Sequence, residues 1–254
     1  MKKYIALAAL LAAGSAFANA AITDGLQWAE SFGDGYSQEA TFSLNNAFHV
    51  EDGVGVAGGS YTDSRIWTTN TDSKFSNAFT FSFKLVDLDA AAWTDALALY
   101  TNGTTYGTDN SIQLQMDNSG NLMVYTDKFT GSNVAGDASN FSLGKLSAVE
   151  GKTITLVFSG TTLTGYLDGV AIDDTVEFTY AEGVSPSTAL TGFQFGAAFG
   201  NQRVSNSVTV DNIAVWNRAL SEKEVASLIP EPSTFGLLAG LGALALVGTR
   251  RRRK

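Results

Sequence analysis

The chain has no cysteine, a single histidine and few cations. Without thiols it can form no disulfide, so an exported form must rest on core burial or on bound metal. The same lack removes a thiol nucleophile and any Cys/His cluster able to hold zinc. His49 is the one imidazole available as a base for a serine nucleophile. It stands between Phe48 and Val50 in a strand-like run, where a packed or surface role is the expectation. No glycine-rich phosphate loop precedes a helix, and no EF-hand loop is present. Residues 21–229 hold nine of the 16 basic residues and 24 of the 25 acidic ones, a net charge of −15. That charge repels phosphate backbones and anionic headgroups, which argues against nucleic acid as a partner and against peripheral membrane binding. The surplus of carboxylates suits calcium instead.

What is present falls into three parts. Lys2 and Lys3, the apolar run Ile5 to Ala13 and the small-x-small pattern Ala18-Asn19-Ala20 make residues 1–20 a secretory signal peptide, for removal by signal peptidase. The other end reads Pro230-Glu231-Pro232, an uncharged run from Ser233 to Thr249, then Arg250, Arg251, Arg252, Arg253 and Lys254. As a helix rising about 1.5 Å per residue that run reaches roughly 25 Å, short of a ~30 Å hydrocarbon core. The basic end should stay cytoplasmic and leave everything before Pro230 outside. This tail resembles the PEP-CTERM sorting signal of Gram-negative bacteria. The resemblance implies recognition by an exosortase-type membrane transpeptidase, cutting near Pro230-Glu231-Pro232, and a product at the cell surface, outer envelope or extracellular matrix. Before processing, the tail would hold the chain in the inner membrane; a plain C-terminal anchor is the alternative.

Residues 21–229 form one domain by length. Short alternating segments recur: Phe79 to Leu85, Ala96 to Thr101, Ser111 to Met116, Leu122 to Thr126, Thr153 to Ser159, Leu163 to Leu167, Gly192 to Ala197 and Ser207 to Trp216. Turn chemistry separates them, at Asp117-Asn118-Ser119-Gly120-Asn121, Ser159-Gly160-Thr161 and Asp168-Gly169. Many short strands with such turns predict an all-β, two-sheet sandwich. One helix is expected, capped by Ser221-x-x-Glu224 and running to about Leu228, where Pro230 ends it. Gly131 to Asn140 reads as a loop.

The stretch Val208-Thr209-Val210-Asp211-Asn212-Ile213-Ala214-Val215-Trp216-Asn217-Arg218-Ala219-Leu220-Ser221 resembles the closing strand and helix of laminin-G-like domains, within the concanavalin A-like lectin and glucanase superfamily. Lys152 to Phe158, followed by Thr162 to Val170 with its Tyr166-Leu167-Asp168-Gly169, is similar to the family's central hairpin. The resemblance covers Phe79 to Leu228 closely and Ala21 to Ala78 loosely. It implies a jelly-roll of two antiparallel sheets with one concave and one convex face. It also implies a structural calcium, held by acids near the start of the domain and on the closing strand, with Glu30, Asp34 and Asp211 as candidates. Hydrogen bonding of Asp211 to neighbouring backbone is the other reading.

Enzymatic relatives of this kind carry a Glu-x-Asp-x-x-Glu strand, whose alternation lines one cleft with acids. No such triplet occurs here. Asp87-x-Asp89 lacks the third acid and reads as a solvated turn, so the expectation is a non-catalytic protein. Aromatic rings can stack on sugars while amides and carboxylates bind the hydroxyls. Trp93 with Asp95, between two strands, and Tyr100, Asn102 and Tyr106, at a polar loop, are the candidate ligand contacts. An indole folded over the sandwich edge is the alternative for Trp93, and Trp216 is expected in the core. Three functions stay open: an exported domain binding glycan or surface protein, a purely structural envelope or exopolymer protein, and a glycoside hydrolase of the same fold.

Overall fold

The computed structural model describes residues 22–32, 42–44, 49–57, 65–68, 78–101, 111–126, 140–178, 190–196 and 205–229. The expected signal peptide, Asp34, Asn102, Tyr106, most of the loop at 131–140 and the whole tail from Pro230, including its expected helix, lie outside the described residues. The strands are β1 Leu26–Glu30, β2 Phe42–Leu44, β3 His49–Glu51, β4 Val54–Ala57, β5 Arg65–Thr68, β6 Phe79–Asp89, β7 Asp95–Thr101, β8 Ser111–Met116, β9 Asn121–Tyr125 and β10 Phe141–Lys145. The short helix α1 Leu146–Val149 follows, then β11 Thr153–Phe158, β12 Thr162–Leu167, β13 Val170–Glu177, β14 Leu190–Phe195, β15 Ser207–Trp216 and helix α2 Glu222–Ser227.

These strands build two antiparallel sheets. One runs β13-β12-β11-β6-β15-β4-β3 with β1 also on β15, and the other runs β10-β9-β8-β7-β14-β5-β2. The segments with apolar alternation supply the centres of both. Phe79, Phe81, Phe83 and Leu85 of β6 point into the sandwich and are fully buried, against Phe193 and Phe195 from the opposite sheet. The Phe81 and Phe193 rings meet edge-on, 4.8 Å between centroids, and Phe83 meets Phe195 in the same way at 5.3 Å. Leu97, Leu99, Ile112, Leu114, Leu122 and Val124 complete the layer, which is sheet-on-sheet packing by interdigitation.

The sequence left several elements unread. β1, β2, β4 and β5 are short and lie in a region of weak alternation, where only the run around His49, now β3, reads as strand-like; β10, α1 and β13 are likewise unannounced. β13 is an edge strand whose exposed Asp173, Asp174 and Glu177 hide its period. The expected turns do appear. Asp168 and Gly169 both have positive φ, 48° and 77°, as the primed hairpin turn requires. At the β8–β9 turn the Asp117 carboxylate accepts from the Ser119 N–H (2.7 Å), the Asn121 N–H (2.8 Å) and the Asn121 side chain (2.7 Å). These donors, the Asn121 N–H above all, hold its pKa below the usual carboxylate value.

The outer face of the larger sheet carries a second apolar layer: Val157, Tyr166, Ala214, Trp216, Leu220 and Val225, with Ile22, Leu26 and Leu228 packed against them. Trp216 is thus core, as its position in the alternation implies, and its indole N–H donates to the Ile22 carbonyl at 2.9 Å. Helix α2 closes this layer with a complete capping box on Ser221 and Glu224.

Candidate functional site

Two places combine exposed or buried polar chemistry with unusual backbone. The first is a seam in the larger sheet. Residues Val208 to Val210 of β15 pair with β4, whereas Ile213 to Trp216 pair with β1. Where the partner changes, the register of β15 on β6 also shifts, between Asp211 and Ala214. Asn212 takes φ 50° there. Phe32, two residues past β1, has φ 54°, and Asp52 in the β3–β4 turn has φ 50°. A Cβ on Gly53 would lie 3.7 Å from the Phe32 carbonyl oxygen, so this turn and the end of β1 adjoin at the seam. Left-handed non-glycine residues cost about 1–3 kcal/mol each and persist only where the surroundings impose them.

The seam's polar groups are partly satisfied from within. Asp211 accepts from the Asn212 N–H (2.7 Å) and from the Asn212 side-chain amide (3.0 Å). Burial pushes the Asp211 pKa up, opposed by the Asn212 N–H and by Lys84, its neighbour across the strand. Glu30 pairs in register with Ile213, and its carboxylate accepts from the Ser31 and Phe32 N–H groups at 3.0 and 3.1 Å. The Asn212 amide oxygen is buried with no hydrogen-bond partner. Of the three acids expected at a calcium site, the fold thus brings Glu30 and Asp211 to one corner, and Asp34 lies outside the described residues. Among the described residues no group of three or more His, Asp or Glu side chains converges, so a cation here would take amide and carbonyl oxygens as well. An orphaned amide oxygen beside a half-buried carboxylate fits such a hard ion.

Asn212 was missed in the sequence, although a signal existed. Apolar positions run 208, 210, then 213, 215, a step of three where alternation demands two. That slip marks the bulge.

The second place is the turn from β6 to β7. Trp93 has φ 66° and is 46 % exposed, which makes it and Val170 the exposed large apolar side chains of the described residues. Its backbone is fixed: the Trp93 N–H donates to the Met116 carbonyl (2.8 Å), Met116 N–H to Thr94 (3.0 Å), and the Thr94 hydroxyl to the Ala91 carbonyl (2.7 Å). These bonds place the Trp93 backbone against β8 just before the Asp117 turn, whose Asn118 and Ser119 are exposed. Asp95 behaves otherwise than expected. It is fully buried, its carboxylate takes a hydrogen bond from Gln115 Nε2 at 3.2 Å, and it sits inside the wall rather than on a rim. Tyr100 lies on β7, opposite Ser111 and Gly192 in register. Asp87 and Asp89 are exposed at the far end of β6, and His49 pairs with exposed Glu51 at 3.6 Å.

Residues 57–226 match the concanavalin A-like lectin/glucanases superfamily. The chain belongs to that superfamily. Residues 228–253 match the PEP-CTERM protein-sorting motif, which implies export, surface sorting in a Gram-negative bacterium and processing by an exosortase-type system. No curated protein matches the chain. Among solved structures, Trypanosoma rangeli sialidase in complex with sialic acid is similar at 16 % identity and a TM-score of 0.59, over 83 % of this chain and 33 % of that one. The binding domain of Paraclostridial Mosquitocidal Protein 1 is similar at 17 % identity and a TM-score of 0.55, over 80 % and 51 %. The binding domain of botulinum neurotoxin DC, solved with rat synaptotagmin II, follows at 14 % and 0.53, again over 80 % and 51 %. The superfamily member described here spans about a third of the sialidase and about half of the toxin domains, and the likeness at these identities is one of fold.

Proposed function

We propose that this is an exported, non-catalytic surface or matrix protein whose sandwich binds glycan at the Trp93 turn. The observation that carries the reading is the exposed indole on a turn locked by three hydrogen bonds. An aromatic face on a fixed backbone loses little entropy on stacking against a sugar ring, and the exposed Asn118 and Ser119, in the turn that follows Met116, would supply partners for its hydroxyls. Among the described residues no acid group gathers that would serve hydrolysis in the same fold: Asp87 and Asp89 stand exposed without the third acid of the enzymatic strand pattern. A calcium ion at the seam, held by the Asn212 amide oxygen, Asp211 and neighbouring carbonyls, would supply charge compensation and join β1 to the β3–β4 hairpin. Its role there is structural.

Residues 21–229, applied to a glycan array and to a surface-protein pull-down, test the binding. The wild-type domain should retain a glycan, and Trp93→Ala should lose at least tenfold in retention while the domain stays folded by circular dichroism. Retention of no glycan by the wild type, or equal retention by the variant, removes this reading.

A further inference from the structure

No spacer separates the folded domain from its sorting motif. The Leu228 N–H donates to Val225 at 3.1 Å, the Ile229 N–H to Ala226 at 3.4 Å, and the Ser227 hydroxyl to Glu224 at 2.7 Å. Val225 is buried and Leu228 packs against the layer around Trp216. The end of α2 rests on the β12–β13 turn so closely that a Cβ on Gly169 would stand 2.9 Å from Ala226 Cα and 3.1 Å from Ile229 Cγ1. The start of α2 is tied down as well. Ser221 and Glu224 cap each other, and Arg218 grips both Glu224 oxygens (2.6 and 3.1 Å) and the Asp24 carboxylate (3.1 Å). Pro230 follows Ile229 directly.

An enzyme that processes a peptide takes the residues flanking the cut as an extended segment, because only then can main-chain groups pair with its cleft. In this chain the Leu228 and Ile229 N–H groups are spent on bonds to Val225 and Ala226, and the half-buried Leu228 and Ile229 lie against the domain. We propose that Ala226 to Ile229 form part of the segment the sorting enzyme must bind, and that the folded domain masks it. The end of α2 then has to leave the β12–β13 turn before the Pro230-Glu231-Pro232 segment can be processed. This inference rests on the sorting reading of the tail. The opening it needs is local. A helix of this length does not persist without its seat, so it unwinds back to Ser221 while the sandwich stays closed. The rate of processing then follows the fraction of molecules with α2 open.

The experiment uses the full chain in its native host, with pulse-labelling and intact mass to follow loss of the basic end. One variant carries six Gly/Ser residues between Ile229 and Pro230; a second combines Ser221→Ala with Glu224→Gln. Both should be processed several-fold faster than wild type, and the insertion should leave the melting temperature of the domain unchanged. Wild-type rates in both overturn the proposal. Acceleration by the insertion alone shows that the enzyme lacks reach, not an opened helix, and overturns it too. Retention of Arg250 to Arg253 in every form, wild type included, defeats the sorting reading and the masking with it.

Discussion

At the scale of single residues, Asn212 concentrates the chemistry of the seam. Its left-handed backbone exists because β15 changes partner there, and its amide oxygen is left buried without a donor. Two substitutions separate these facts. Asn212→Gly keeps the backbone comfortable and removes the oxygen; Asn212→Ala removes the oxygen and leaves a strained residue costing about 1–2 kcal/mol. Calcium should raise the melting temperature of the wild-type domain, and neither variant should respond. In chelator, only the alanine variant should melt well below wild type. The pH dependence has a definite sign. Burial raises the Asp211 pKa, so ionising that group costs stability as pH climbs through the raised value, and a cation offsets the cost. Calcium's effect should therefore be full at neutral pH and fade as pH falls through the Asp211 pKa. Identical melting with and without calcium at neutral pH would remove the metal from this corner.

At the scale of elements, α2 is six residues held by its ends. Arg218, with help from the Ser221 N–H and hydroxyl, holds the Glu224 carboxyl down to about 2. A depressed carboxylate contributes stability that is complete above its ordinary pKa, near 4.5, and is lost as pH falls through the lowered one. Glu224→Gln should consequently be less stable than wild type at pH 6, and urea unfolding should show the gap closing toward pH 2. Ser221→Ala should cost about 1 kcal/mol, the usual worth of an N-cap. This helix was legible beforehand because a capping box is local: two residues three apart declare it. β13 was not, since an edge strand with acids on its exposed positions loses the alternation that reveals a half-buried strand. β1, β2 and β4 escaped for a related reason. Each is five residues or fewer, and what makes them strands is a distant partner: the free edge of β15 for β1 and β4, and β5 in the other sheet for β2.

At the scale of the molecule, the two sheets hold together through the aromatic layer between β6 and β14, with neither disulfide nor cysteine to assist. Phe81 touches Phe83, Phe193 and Phe195. Phe81→Ala should therefore cost about 3–5 kcal/mol by equilibrium urea unfolding, with an unchanged slope if the sandwich still unfolds as one unit. A loss under 1 kcal/mol would mean that the layer does not bind the sheets as described. Both ends of the domain meet on the outer face of the larger sheet, where Trp216 and Arg218 hold Ile22 and Asp24. Arg218 thus ties the segment ahead of β1 to Glu224 of α2, and no local pattern in either could show it.

The chain's order of residues determined by itself whatever depends on near neighbours: alternating strands, primed turns, the capping box, and the C-terminal sorting motif read from charge and apolar length. It also carried the closing-strand motif that names the superfamily. Only the tertiary structure decided that Asp95 turns inward while Trp93 stays out. It likewise set Glu30 near Asp211 and seated the last helical turn on Gly169. These outcomes depend on which distant strands pair and where the pairing changes hands, and such contacts leave no periodic trace along the chain.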